Sequence, residues 1–300
     1  MRKFFHNVWR IITFPFRLLG WLISLPVKGF KNLRQFLTYE PEERPISETL
    51  VDTIQKPAAL LEHIDALRKH FARILIGLLI CVAIFFFFTP KIVDFLARPI
   101  GGISALKAID VTESIGVFMK VALLCGFALA SPYIAFELWL FAAPGLHSRA
   151  RILGLVSIPL VIIFFVGGMA FAYFFLLPPA LKFLLGFMGV QVIPRPSSYI
   201  GFVTGILFWI GITFEFPLVV YVLTLMGIIK PQSLLTHWKI AVVIIAILAA
   251  AITPTTDPVN MSLVMGPMIL LYFISIGLGY LAMVGRRRRE LETDSQPNSV

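Results

Sequence analysis

The chain has 300 residues, of which 58% are hydrophobic and 14% charged, with a formal net charge of +10 and a mean hydropathy of +0.90. A soluble domain of this size cannot hide that much apolar surface, so lipid must be the solvent for most of the chain. In hydrocarbon only helices or a closed barrel satisfy the backbone, and continuous apolar runs in place of alternation exclude the barrel.

The first 39 residues hold seven Lys/Arg and no acid, interleaved with Phe, Trp and Leu. Pro15, Arg17 and Pro26 interrupt the apolar run, and no A-x-A-like cleavage site follows it. This pattern reads as basic amphipathic segments lying on an anionic inner leaflet, with a seventh span as the rival reading. A polar linker occupies 40–57. Six spanning stretches follow, at residues 72–89, 114–141, 152–177, 199–226, 240–252 and 259–284. They give an all-α, polytopic fold over 58–285, with a basic and polar tail at 286–300.

Length distinguishes two of the spans. The fifth makes about 20 Å of helix against about 30 Å of hydrocarbon, so either its flanks extend it or the bilayer thins. The fourth makes about 42 Å, so it must tilt or kink, with Pro217 the expected hinge. Lys and Arg set the orientation. The first 71 residues hold eleven of them, and Arg286 to Arg289 open the tail. Both termini are therefore expected in the cytoplasm, with the connectors around Arg149 and Arg151 and around Lys230 and Lys239 on the same side.

A few polar residues stand out against this background. Glu215 lies inside the fourth span, two residues before Pro217. An ionisable residue there costs about 2.5–3.5 kcal/mol on insertion scales and usually faces a bundle interior or a wet cavity. It is either a structural carboxylate bonded to a neighbouring helix or part of a polar cavity that meets a partner or substrate. Lys120, near the outer end of span two, is in a position to snorkel. Glu137, near the inner end of span two, reads as interfacial rather than buried, and Asp257 reads as a cap for span six. Cys81 and Cys125 read as small buried hydrophobes. No Cys/His cluster has metal-ligand spacing and no Walker-type loop is present. Neither metal, cofactor nor nucleic acid is expected, and no converging nucleophile, base or ligand set marks an enzyme. A proton-coupled small-solute transporter using Glu215 is the competing function. It predicts an internal repeat, and span one has no counterpart of Glu215.

Several stretches together resemble one family. "LEHIDALRKH" (61–70) resembles the His-Leu-x-Glu-Leu-Arg-x-Arg opening of TatC, the polytopic subunit of the twin-arginine protein translocase. "SPYIAFELWLFAAPGL" (131–146) is similar to its second span and first cytoplasmic loop. "GMAFAYFFLLP" (168–178), "GITFEFPLVV" (211–220) and "ITPTTDP" (252–258) are similar to later blocks, in order.

The resemblance implies a six-span, glove-shaped, concave scaffold in a bacterial or archaeal inner membrane. It implies a receptor for signal peptides bearing paired arginines, working with single-span TatA-like and TatB-like proteins and self-associating in a larger complex. Folded cargo then crosses on the proton gradient, without nucleotide. By position, Glu215, with Pro217 after it, matches the family's carboxylate on the concave side. Phe141, Pro144 and Leu146 match the first cytoplasmic loop, Arg68 the first arginine of the opening motif, Pro99 a proline of the first outer loop, and Asp257 an acid of the last outer turn. Two departures stand out, because Ala66 and Ala150 occupy the positions of the two glutamates expected to receive paired guanidiniums. Nearby Asp65, Glu62 and Glu137 are the candidates to substitute, though Asp65 lies one helical step, about 100°, away. Altered recognition and acids supplied by a partner are the two alternatives to such substitution.

Overall fold

The computed structural model describes residues 57–145, 148–186, 193–225, 227–253 and 257–294, with the backbone alone at 57–63, 145, 148–150 and 285–294. The basic segment 1–39, nearly all of the linker 40–57, Leu146 and the end of the tail lie outside the described residues, as do the side chains of Glu62 and Ala150.

The described chain is helical. In order it runs α1 (Pro57–Phe86), α2 (Thr89–Ala97), α3 (Glu113–Ala142), α4 (Ser148–Phe171), a π-helical turn (Ala172–Leu176), α5 (Leu177–Gly186), α6 (Pro196–Leu225), α7 (Pro231–Thr236), α8 (Trp238–Ile252) and α9 (Pro258–Asp294). Among the described residues, five helical stretches are long and apolar enough to cross a membrane: 64–86, 113–142, 151–186, 196–225 and 258–284. The sixth apolar helix, α8, is shorter. The chain is thus a multi-pass membrane protein.

α3 and α6 form the centre. α3 packs against α1, α4 and α6, and α6 packs against α4, α9 and α3, while α1 rests mainly on α3 and α8 mainly on α9. Close approach at the crossings comes from missing side chains. A Cβ on Gly126 would sit 2.7 Å from the Val82 Cα of α1, and one on Gly168 would sit 2.9 Å from the Gly211 Cα of α6. The core between them is assembled from Val121, Leu124, Leu176, Val203, Ile206 and Ile210 and their neighbours. Two buried hydroxyls bond within their own helices: Thr204 Oγ1 donates to Ile200 O at 2.6 Å and Ser275 Oγ to Tyr272 O at 2.6 Å. That removes the cost of carrying a hydroxyl into an apolar interior.

Two span ends need correction, and the structure gives the form of two further spans. The first stretch was expected to run to residue 89, but helix α1 ends at Phe86 and Pro90 sits in the first turn of α2. Proline is tolerated there because its absent N–H would be unpaired anyway. The third was expected to end at 177, but helix continues through Pro178 and Pro179 to Gly186. Both prolines fall in the first turn of α5, just after the π turn. The fourth, expected to tilt or kink with Pro217 as the hinge, runs through Pro217 as a single helix, Pro196–Leu225. The fifth is not extended by its flanks. His237 interrupts the helix on one side and Thr253 is extended on the other, leaving α8 with about 22 Å of rise.

Candidate functional site

At the end of the bundle that carries the α3–α4 turn, α1 and α3 meet through a polar cluster. Glu137 is 4% exposed. His70 Nδ1 donates to its Oε2 at 2.6 Å, Tyr133 Oη donates to its Oε1 at 3.0 Å, and Arg73 Nη1 lies 3.6 Å from Oε2. The His70 ring also meets Phe141 edge-on, with centroids 6.0 Å apart. Helical periodicity delivers these groups. Tyr133 and Glu137 share a face of α3 at i, i+4, and α1 lies close because Gly77 leaves room for the Tyr133 ring, which would be 2.5 Å from a Cβ there. Glu137 is therefore not interfacial, as its place near a span end predicts, but a buried and fully engaged anion. A buried carboxylate survives only with such partners.

The turn after α3 is built around a second buried charge. Arg151 is 1% exposed. Its Nε donates to Ala143 O at 2.7 Å and its Nη2 to Pro144 O at 3.4 Å, while its own carbonyl accepts Trp139 Nε1 at 3.0 Å. The guanidinium thus satisfies carbonyls that the end of α3 would otherwise leave unpaired, at the negative end of that helix. Pro144 itself is exposed and Phe141 half-buried. On α1, Arg68 is exposed and Asp65 pairs along its own helix with Lys69 at 2.6 Å, both exposed. An exposed pair of this kind is held only weakly by screened charge, so Asp65 is easily released.

Glu215 projects from α6 in mid-span. The residue is partly exposed, and the Phe165 backbone N–H of α4 faces its carboxyl, yet Oε1 is buried with no hydrogen-bond partner. Pro217, buried beside it, removes the donor that would reach the carbonyl of Thr213. An unpaired acceptor in this medium is costly.

The opposite end is tied by side chain to backbone bonds. Tyr173 Oη donates to Phe95 O and Tyr199 Oη to Leu96 O, each at 2.8 Å, so two terminal carbonyls of α2 are satisfied from the π turn and α6. Phe95 stacks on Tyr173 at 4.6 Å and Arg98 lies over the Phe95 ring at 5.3 Å. Pro99 sits in the single turn Arg98–Ile100 that follows. Glu113, buried at the start of α3, is held by Arg195, whose Nε donates to Oε1 at 2.8 Å. Asp110, outside the spans, accepts the Thr112 N–H at 3.1 Å, and that backbone bond holds its carboxyl below the ordinary aspartate value of 3.8. Asp257 caps α9 as expected: its Oδ1 accepts the Asn260 N–H at 2.7 Å and its Oδ2 accepts Asn260 Nδ2 at 3.0 Å.

A family model described as Sec-independent protein translocase protein (TatC) matches residues 62–267. The chain belongs to the TatC family. Among its relatives, a Sec-independent protein translocase protein TatC from Koribacter versatilis is 35% identical over 250 residues, covering 79% of this chain and 90% of the relative. The Carboxydothermus hydrogenoformans TatC is 37% identical over 224 residues, covering 74% and 92%. A crystal structure described as that of the twin arginine translocase receptor TatC superposes with a TM-score of 0.65 at 36% identity, covering 73% of this chain and 99% of that one.

Within this TatC fold the expected site residues separate into groups. His70, Arg73, Tyr133, Glu137 and Phe141 come together, with Pro144 nearby through Arg151. Arg68 and Asp65 stay on the exposed surface of α1, Glu215 and Pro217 lie deep in α6, and Pro99 and Asp257 lie at the other end in separate connections. Tyr133, Arg73, Arg151, Tyr173, Tyr199 and the Glu113–Arg195 pair carry the local geometry but carry no signal of their own in the sequence. Arg151 reads there as one more basic residue of a connector. The hint available is its spacing from Trp139 across an Ala-Pro-Gly turn.

Proposed function

We propose that this TatC family member is the receptor and core subunit of a twin-arginine-type translocase that moves folded proteins across a bacterial or archaeal inner membrane on the proton gradient. It works with TatA-like and TatB-like single-span partners and self-associates in a larger complex. The observation that carries this reading is the match along 99% of the chain of a twin arginine translocase receptor, at 36% identity. The Lys and Arg distribution supports both termini, and the α3–α4 turn, in the cytoplasm. The shortness of α8 supports local thinning of the bilayer at that margin.

Signal recognition belongs to the surface that carries Arg68, Asp65, Phe141 and Pro144, with Glu137 beneath it as a scaffold, and Glu62 and Leu146 are assigned to it by their place in the sequence. Ala66 and Ala150 carry no acceptor for a guanidinium. Asp65 is drawn to Lys69 and Glu137 is occupied by His70 and Arg73. Paired-arginine recognition is accordingly altered or weakened. The test is binding of fluorescent signal peptides to the protein in nanodiscs, with Arg-Arg and Lys-Lys versions compared. Discrimination below about tenfold, or about 1.4 kcal/mol, is expected. A strong Arg-Arg preference abolished by Asp65→Ala would show that a neighbouring acid replaces the missing two.

For the wider assignment, the chain is expected to co-purify with a single-span TatA-like protein and to show no solute flux alone in liposomes. Glu215→Ala is expected to insert normally but to lose crosslinking to partner helices at that depth. Solute flux without partners would overturn the assignment.

A further inference from the structure

Lys120 lies in α3, seven residues or about 10 Å below the start of that helix. Its side chain is exposed, and among the described residues no acid lies within ion-pair distance and no group accepts a hydrogen bond from it. The ammonium is laid against α6, where a Cβ on Gly201 would be 3.1 Å from Nζ. α3 and α6 run in the same direction, and about two turns further along both, Phe127 and Phe208 meet with centroids 5.1 Å apart. Lys120 thus belongs to the seam between α3 and α6 and is placed by it.

α6 presents one open face along this seam. At 100° per residue, Gly201, Gly205, Phe208, Ile212, Glu215 and Val219 fall within an arc of about 80°. None of the six is buried, whereas Val203, Ile206, Leu207 and Ile210 on the far side all are. Nothing lies within 4 Å of the place a Cβ on Gly205 would take. The face therefore has a cation at one end, two glycines at a spacing that admits a close helix backbone, and deeper down the Glu215 oxygen with no partner. Gly201 and Glu215 are fourteen residues, or about 21 Å, apart.

We infer that the α3–α6 seam takes a spanning helix that carries a carboxylate at the depth of Lys120, and that Lys120 selects for it. This rests on the reading of the Glu215 face as a partner-docking surface and adds the chemistry of the partner. The charge pattern decides the occupant. A lipid phosphate could satisfy Lys120, but an acyl chain offers nothing to Glu215, and lipid does not need the glycine pair. A helix with an acid facing Lys120 and a hydrogen-bond donor about fourteen residues deeper meets both groups. A pair formed here, away from bulk water, is screened far less than one at the surface.

The test uses synthetic 24-residue Leu/Ala spanning peptides carrying one Glu, Gln or Lys about 10 Å from the end that lies beside α2. They are reconstituted at pH 8 with the full chain bearing a photo-crosslinking residue at position 212. The Glu peptide is expected to crosslink at least tenfold more than the Gln peptide. Lys120→Arg is expected to keep that preference, Lys120→Gln to remove it, and Lys120→Glu to transfer it to the Lys peptide. Equal crosslinking of Glu and Gln peptides, or a Glu preference that survives Lys120→Gln, would overturn the inference while leaving the docking face intact. So would a preference that disappears when anionic lipid replaces neutral lipid, since a net negative headgroup would then hold Lys120. Absence of crosslinking by every peptide would overturn the docking face as well.

Discussion

Replacing Glu137 by alanine tests whether this carboxylate is a scaffold or a recognition group. In the folded chain it holds α1 to α3 through His70 at 2.6 Å, Tyr133 at 3.0 Å and Arg73 at 3.6 Å. The His70 contact is mostly buried, with side-chain exposures of 18% and 5%, and a hydrogen bond to a charged group there is worth about 1.5–3 kcal/mol. The Tyr133 bond adds about 1 kcal/mol. Arg73 is 54% exposed, so screening limits its share to about 0–1 kcal/mol. The loss is about 2.5–5 kcal/mol, close to the range found when one partner of a buried pair is removed. Thermal unfolding in nanodiscs should then shift down by about 10 °C, and spin labels on α1 and α3 at this end should report a longer and broader separation. Glu137→Gln, which keeps an acceptor for Tyr133, should show a smaller shift. An Ala variant with unchanged unfolding and unchanged label distance, yet impaired signal-peptide binding, would refute the scaffold role.

Other expectations follow from the same contacts. Arg151→Met should strand the Ala143 and Pro144 carbonyls, costing about 2–4 kcal/mol, and protease accessibility of the α3–α4 turn should rise. Tyr199→Phe should weaken the hold on the end of α2 by about 1 kcal/mol, with faster hydrogen exchange of α2 amides as the readout; combined with Tyr173→Phe the effect should grow. Gly126→Leu should force α1 off α3, because even a Cβ collides with the Val82 backbone at 2.7 Å, and crosslinking of cysteines placed across that crossing should fail. Asp110, held below its ordinary value by the Thr112 N–H, stabilises the connector above pH 3.8 and loses that contribution as pH falls through its lowered folded value. Its carboxyl resonance should titrate with a midpoint below 3.8, and Asp110→Asn should remove the acid dependence of local exchange.

The amino-acid sequence by itself determined that the chain lives in lipid, that it is helical, and where its apolar stretches lie. Continuous hydrophobicity over a bilayer's thickness needs no tertiary information to be read, and the blocks along 61–258 identified the family. Glu215 was equally legible, because a charge alone in an apolar run is conspicuous in one dimension. Glu137 and Arg151 were not. Each sits near the end of a span, where a charge normally reaches water, and position along the chain cannot distinguish that from burial. Only the crossing of α1 on α3, permitted by Gly77 and Gly126, brings His70 onto Glu137, and only the turn after α3 folds its carbonyls around Arg151. The alignment of Lys120 with Gly201 and of Phe127 with Phe208 likewise exists only once two parallel helices have chosen their register. The sequence states which residues enter the membrane; packing decides which of them are left without a partner there.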